Sequence, residues 1–414
     1  MILIIYRFLG ILLIPLIKLN ILIRIKKGKE SKIRYKERFG KITEKRPSNK
    51  LIWIHAASIG EFKSADLVIN SFYKKYTILI TTTTLTAANF AEKYYGDKII
   101  HQFAPLDIEL WVKRFLNYWK PSLIIWIESD LWPVTLTQIK RMKIKSLLIN
   151  VRMSPKSYKK WRKINFFYKK ITACFDEITA QSQKDRDRIQ KLTKRDIKFI
   201  GNLKLSNINT YQIANYKNDI NNKLITLMFA STHQEEELDL IFLIKKLFKN
   251  NILKIIIAPR HIERSKNILY LCSKYNIPAN LENDKKIEKN NISIINSFGN
   301  LPKYFINSDI VFLGGSLIYK GGHNPIEPSR YNCAIITGPH TFNWQNIYEN
   351  MISYNACIKI NNIDELENKI NFLINDRKFL SKMIINSNKY SQKKFFDDDK
   401  LFELINSKIS EARC

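Results

Sequence analysis

The sequence predicts an α/β protein in which two parallel-sheet domains of similar size face a cleft, behind an apolar amino-terminal helix. Three observations predict this. The chain has 414 residues, two to three times the ~150 of a typical domain. From residue 51 short β-rich runs alternate with longer amphipathic stretches, and the alternation breaks at a polar, Asn-rich stretch over 206–222 before it restarts. Residues 1–23, MILIIYRFLGILLIPLIKLNILI, are almost all apolar, interrupted by Arg7 and Lys18.

That first stretch has no small-residue cleavage site behind it, so it does not read as a removed signal peptide. Its length matches the ~20 residues needed to cross a bilayer. Pro15 and the two cations make it a poor spanning helix, so an interfacial or tilted anchor fits as well, and a buried core helix is the plainer alternative. The basic cluster Arg24, Lys26, Lys27 and Lys29 belongs beside anionic headgroups on the cytoplasmic side.

In the first half the predicted strands are LIWIHA, TILITTTT, KIIHQFA, LIIWIE, SLLINV and EITAQS; in the second they are LITLMFA, KIIIAP, ISIIN, DIVFLGG, AIITG and ACIKI. The domain boundaries follow: 1–29 anchor and basic flank, 30–205 first domain, 206–222 linker, 223–414 second domain. Residues 365–414 read as terminal helices without chemistry, free to pack back on the first domain. Open parallel sheets bind ligands at the carboxyl ends of their strands, so the functional residues are sought there.

With 69 basic and 37 acidic residues the net charge is +32, which calls for an anionic partner, although the abundance of Ile, Lys and Asn inflates Lys without any function. Five cysteines without CxxC spacing argue against a disulfide framework or a zinc ribbon and fit a reducing compartment. None of the six histidines forms an HExxH or similar ligand pair, so no metal is expected.

In IWIHAASIGEFKSA a strand leads through Gly60 into a helix opening at Glu61. A carboxylate there serves as a general base on an acceptor hydroxyl, or is only the acid that a first helical turn favours; on this segment alone both readings stand. LIIWIESDLWP brings Glu128 and Asp130 to a second strand end, and TTTTLTAA offers hydroxyls that suit a sugar or a plain cap. NVRMS and GNLK place Arg152 and Lys204 where a cation can neutralise a leaving phosphate or a carboxylate. In the second half, FASTHQEEE caps a helix with Ser231 and Thr232 ahead of an acidic turn, and APRHIER ends a strand with Pro259, Arg260 and His261. FGNL holds Phe298, Gly299 and Asn300 in a Gly turn, and GGSLIYKGGHNPIEPS offers two Gly pairs as a phosphate cradle before a helix starting at Asn324. There Pro325 takes the first position and Glu327 the third, a capping box that needs no ligand. No GxGxxG or Walker loop is present, which disfavours a dinucleotide or ATP site.

The ordered set HAASIGE, ESDLWP, NVRMS, GNLK, ASTHQEEE, APRHIER, FGNL, GGSLIYKGGHNPIEPS and GPHTFNW closely resembles the 3-deoxy-D-manno-octulosonic acid (Kdo) transferases of lipopolysaccharide assembly. The resemblance runs to about residue 345 and implies the GT-B architecture of two Rossmann-like domains. It also implies Kdo transfer from CMP-Kdo to a lipid A precursor (lipid IVA) at the cytoplasmic face of the inner membrane, without metal or cofactor. It makes Glu61 the base, with Glu128, Asp130 and Lys204 assisting the transition state. It gives CMP binding to Pro259, Arg260, Phe298, Gly299, Asn300 and Asn324 to Glu327, that is Asn324, Pro325, Ile326 and Glu327. Two positions depart from the family pattern: Asp130, where Glu is usual, and Val134, where Asn follows LWP. The expected reaction is one inverting displacement with an anionic membrane surface as partner. Two rivals are weighed: a sugar-nucleotide epimerase of the same fold, which needs neither anchor nor HAASIGE, and a membrane-tethered basic protein binding nucleic acid, which calls for surface aromatics interleaved with cations.

Overall fold

The computed structural model describes residues 2–128, 130–206, 224–248, 253–282, 292–297, 299 and 301–412. The chain forms two compact units, Met1–Asn209 with Lys394–Cys414, and Thr210–Lys393. The linker expected over 206–222 lies, but for Ser206, outside the described residues.

Among the described residues the first unit is built on seven parallel strands: β1 (Leu51–His55), β2 (Thr77–Thr82), β3 (Ile100–Phe103), β4 (Leu123–Ile127), β5 (Lys145–Val151), β6 (Glu177–Ala180) and β7 (Lys198–Phe199). Their order is β3-β2-β1-β4-β5-β6-β7. Strands β1 and β4 are buried at every position, so the continuous apolar runs LIWIH and LIIWI are those of a sheet covered on both faces. The order reverses between β1 and β4, where Ile54 sits opposite Ile125. Glu61 follows β1 and Glu128 follows β4, so both leave the sheet at this reversal, the place where such sheets bind ligands.

The second unit repeats the plan with β8 (Ile225–Thr232), β9 (Leu253–Pro259), β10 (Ala279–Glu282), β11 (Ile292–Ile295), β12 (Ile310–Leu313), β13 (Ala334–Thr337) and β14 (Cys357–Lys359), in the order β10-β11-β9-β8-β12-β13-β14. The reversal lies between β8 and β12. Strands β7 and β10 are absent from the sequence-based set because both are edge strands too short or polar to show a β pattern: β7 is two exposed residues, and β10 reads ANLE.

Two expectations are corrected. The single amino-terminal helix is two, Ile2–Leu12 and Ile14–Lys26, bent by 60°. Pro15 sits in the first turn of the second helix, where its missing N–H is tolerated and where a continuous helix would be broken. Among the described residues no single helix is long and apolar enough to cross a membrane, although the bent pair passes by length and composition together. Most of its large apolar side chains are exposed and only Ile21 is buried, while Arg7 faces the body, its guanidinium donating to Thr137 Oγ1 at 3.0 Å. The second correction concerns the carboxyl end. Residues 394–414 fall inside the expected second domain of 223–414, but the chain packs back on the first domain, as expected for the terminal helices: helix Asp398–Ser410 buries Leu401, Leu404, Ile405 and Ile409 in the core of the first unit. Phe396 pairs with Gly201 in an antiparallel bridge on the way.

Candidate active site

The carboxyl group of Glu61 is held from both ends of its turn. Ser58 caps helix Ile59–Phe72, its hydroxyl accepting from the Glu61 N–H at 3.3 Å, and the Glu61 carboxylate reaches back to accept from the Ala57 N–H at 2.6 Å. The capping arrangement is therefore real, yet it does not account for the whole environment. Burial raises the Glu61 pKa to about 7, and the negative charges of Glu128 and Asp130 add to the rise against the opposing hydrogen bonds from Ala57 and Ser58. A carboxyl group that titrates near neutrality is suited to take a proton from a hydroxyl.

Glu128 sits in the left-handed region at φ +64°, its N–H bonded to Ile149 O at 2.9 Å. Lys204 Nζ meets Glu128 Oε1 at 2.5 Å. The GNLK turn that carries Lys204 is fixed at three points: Asn150 Oδ1 accepts from Leu203 N–H at 3.0 Å, Asn202 Oδ1 accepts from Lys204 N–H at 3.1 Å, and Gly201 bridges Phe396. Asn150 is itself left-handed at φ +59° and is anchored through its N–H to Thr179 Oγ1 at 3.1 Å.

Asp130 lies across the fully buried His55, with Oδ2 4.0 Å from His55 Nε2, an electrostatic contact rather than a hydrogen bond. Thr81 Oγ1, 2.9 Å from Nδ1, also accepts from Trp53 Nε1 at 2.8 Å. A proton on Nε2, facing the carboxylate, leaves Thr81 to donate to Nδ1. Burial lowers the His55 pKa in spite of Asp130. Burial acts to raise the Asp130 pKa, but its contacts with His55 and Trp132 hold it below the ordinary value. The four hydroxyls of Thr81 to Thr84 all have protein partners, Thr84 capping helix Leu85–Tyr95 and Thr83 donating to Ala57 O, so this run braces the Glu61 turn. At the departure Val134, the helix start is closed by Asp107, which accepts from the Val134 and Thr135 N–H groups at 2.9 and 2.7 Å.

In the second unit the reversal between β8 and β12 is occupied by Glu236. Helix Gln234–Leu247 starts after His233, not after Ser231 or Thr232, because β8 continues through Thr232. The Glu236 carboxylate accepts from the Gly315 N–H at 2.6 Å and the His233 N–H at 3.0 Å, and burial raises its pKa to about 7. The first glycine pair is thus drawn onto a protein carboxylate. A Cβ at Gly314 would come within 2.7 Å of Glu236 Oε1 and Ser231 O. His233 and His323 stack at 5.4 Å with their Nε2 atoms 3.1 Å apart. Burial lowers both pKa values, that of His323 to about 3, and the positive charge of Arg260 adds to each. Two neutral imidazoles share one proton there. Arg260 is exposed, tied to the sheet by its N–H to Thr232 O at 2.9 Å, and Pro259 ends β9. Gly299 is exposed at φ +89°. Phe298 and Asn300 lie outside the described residues.

The helix expected from Asn324 is assigned over Ile326–Arg330, but Pro325 already has helical angles and Asn324 Oδ1 accepts from the Ile326 N–H at 3.0 Å, as a cap does. Glu327 lies in its first turn, and Ile326 is buried. Among the described residues no three His, Cys, Asp or Glu side chains converge as metal ligands would. The structure brings together Glu61, Glu128, Asp130 and Lys204, and separately sets Arg260 within electrostatic reach of His233 and His323, a grouping that the sequence does not show. The sequence also does not show Asn150 and Glu236, whose roles depend on a left-handed backbone and on a Gly amide far along the chain. The doubled glycines of 314–315 were the available signal for the second.

A family model described as 3-deoxy-D-manno-octulosonic-acid transferase (kdotransferase) matches residues 33–207. A curated 3-deoxy-D-manno-octulosonic acid transferase of Rickettsia bellii is 34% identical over 379 residues, 89% of this chain and 90% of that protein. One of Haemophilus influenzae is 31% identical over 79% of each chain. Among solved structures, a glycosyltransferase from Rickettsia africae superposes with a TM-score of 0.60 at 14% identity, over 88% of this chain and 99% of that one, a likeness of fold.

Proposed function

Because the chain belongs to the 3-deoxy-D-manno-octulosonic acid (Kdo) transferase family, glycosyltransferases of lipopolysaccharide biosynthesis, we propose that it moves Kdo from CMP-Kdo to a lipid A precursor in one inverting displacement. The observation that carries the mechanism is the Glu61 carboxyl group, poised to about pH 7 at the sheet reversal. Glu61 takes the proton of the acceptor hydroxyl. The oxygen so freed forms a bond to the Kdo anomeric carbon while the bond from that carbon to the CMP phosphate oxygen breaks, and CMP leaves with the electron pair. Lys204 directs its charge at Glu128 and thereby limits the repulsion on Glu61, while the exposed guanidinium of Arg260 is the cation for the CMP phosphate. Pro259, Gly299 and the Asn324 to Glu327 turn complete the donor side on this reading.

A lipid acceptor requires the protein at a membrane. The bent apolar pair Ile2–Leu12 and Ile14–Lys26 presents Ile4, Phe8, Leu12 and Leu16 outward and suits the cytoplasmic interface of the inner membrane. The experiment is incubation of the full chain with freshly generated CMP-Kdo and a tetra-acylated lipid A precursor, following product mass and CMP release. Stepwise mass gains of Kdo units support the reading and count the transfers; folded protein that yields neither mass gain nor CMP overturns it.

A further inference from the structure

Two consecutive helices of the first unit, Pro155–Lys163 and Asn165–Thr172, carry seven lysine and arginine residues and no acid. All seven are exposed, and none is in an ion pair among the described residues. Between them Phe166 stands 79% exposed and Ile164 45% exposed. The apolar side of the pair is already satisfied inward, since Tyr168 and Ile171 are buried in the core and Trp161 and Phe167 pack on it. The outward Phe166 and Ile164 therefore do not serve folding. An aromatic and an aliphatic side chain amid unpaired cations is the pattern of a surface that lies on anionic headgroups, with the rings at the acyl boundary and the ammonium groups at the phosphates.

Helix Asn165–Thr172 and helix Ile2–Leu12 both pack against Pro133–Arg141, so the basic pair and the apolar amino-terminal helices flank one helix. A cavity of about 110 Å³ lined by Leu131, Arg152, Ser157 and Trp161 lies beside the pair, and Leu131 directly follows Asp130.

We propose that residues 155–172 form a second membrane contact, a docking surface for an anionic bilayer distinct from the amino-terminal helices. It rests on the reading that the acceptor is a membrane lipid. The test is partition of the full chain onto vesicles of phosphatidylcholine with and without phosphatidylglycerol. The variants are K159E/K160E/K163E, F166S, and, as a control of equal charge change, K378E/K382E/K389E on the exposed side of a second-unit helix. The first triple is expected to lower partition onto anionic vesicles at least about tenfold and to leave partition onto phosphatidylcholine unchanged. F166S lowers both, and the control triple changes partition far less. Equal loss from the two triples would reduce the effect to net charge, and no loss from the first, or loss of single-stranded RNA retention in place of vesicle binding, would overturn the proposal. Transfer to detergent-dispersed acceptor separates the two readings: it stays at the wild-type rate in the first triple if only docking is lost. A wild-type chain inactive in detergent defeats the functional reading and leaves the vesicle result to stand alone.

Discussion

Lys204 Nζ lies 2.5 Å from Glu128 Oε1, and Glu128 in turn is one of the charges that raise the pKa of Glu61. The ion pair therefore acts on the candidate base through an intermediate carboxylate. Removing the cation in Lys204→Met leaves Glu128 uncompensated, so repulsion on Glu61 grows and its pKa moves above about 7. The acid limb of the kcat profile is expected to move to higher pH. Glu128→Gln removes the repulsion and moves the same limb to lower pH. Opposite displacement in the two profiles is the measurement; displacement in one direction for both would disconnect the pair from Glu61.

Substitution of the base itself gives a larger and simpler effect. Glu61→Gln keeps an acceptor for the Ala57 N–H and the shape of the turn, but no proton can be taken. Turnover is expected to fall ~10²- to 10⁴-fold, with CMP binding by the full chain unchanged in calorimetry and the acid limb gone from the residual activity. Near-wild-type turnover would remove Glu61 from the mechanism and leave it the cap that its bonds to Ala57 and Ser58 also describe.

Both sheet reversals are legible in the sequence because a β-branched run followed by a capped or Gly-rich turn has few other uses: HAASIGE and LGGS announce the ends of β1 and β12. The carboxylates at the first reversal are equally visible. The partner of Lys204 is not, since it is fixed by pairing across β4 and β5 and by Asn150, whose left-handed angle no local pattern marks. Glu236 is hidden for a related reason: its acceptor role is set by a Gly315 amide 79 residues away, so the first glycine pair reads as a phosphate cradle until the fold brings the carboxylate to it. The bend at Leu13 is half legible, because Pro15 signals a break without saying whether the chain restarts as a helix.

Glu236 makes a prediction about stability. Its pKa in the fold is about 7, above the ordinary 4.5, so the folded chain holds more protons than the unfolded one between those values. The contribution is present below about pH 4.5 and is lost as pH rises through 7. At ~1.4 kcal/mol per unit, the wild type loses about 3 kcal/mol between pH 4 and pH 8 relative to Glu236→Gln, whose amide oxygen still accepts from Gly315. Urea unfolding of both chains across this range measures it, and parallel stability curves would mean that Glu236 keeps its ordinary pKa in the fold. The histidines act in the opposite sense. His101 and His323, depressed by burial to about 3, add stability above pH 6.5 that is lost as pH falls, which is why the comparison is made between two chains and not along one.

The last prediction tests how the carboxyl end reaches the site. Gly201 has φ +98°, and a Cβ there would stand 2.1 Å from Phe395 O and 2.7 Å from Phe396 Cα, both backbone atoms that cannot rotate away. Asp397 N–H to Ile200 O at 2.8 Å and Asn202 N–H to Phe395 O at 3.2 Å hold the two segments together on either side. In Gly201→Ala the returning segment must shift, and with it the turn that aims Lys204 at Glu128. Gly28 is the control: it is left-handed at φ +66° with nothing within 4 Å of its Cβ position, so Gly28→Ala costs only the backbone penalty of about 1 kcal/mol. Gly201→Ala is expected to cost more than that in urea unfolding. In the folded protein it also moves the acid limb of kcat to higher pH, the direction of Lys204→Met, because both leave Glu128 without its cation. A stability loss with the wild-type pH profile would mean that the carboxyl-terminal return supports the fold alone and that Lys204 is aimed by Asn150 and Asn202.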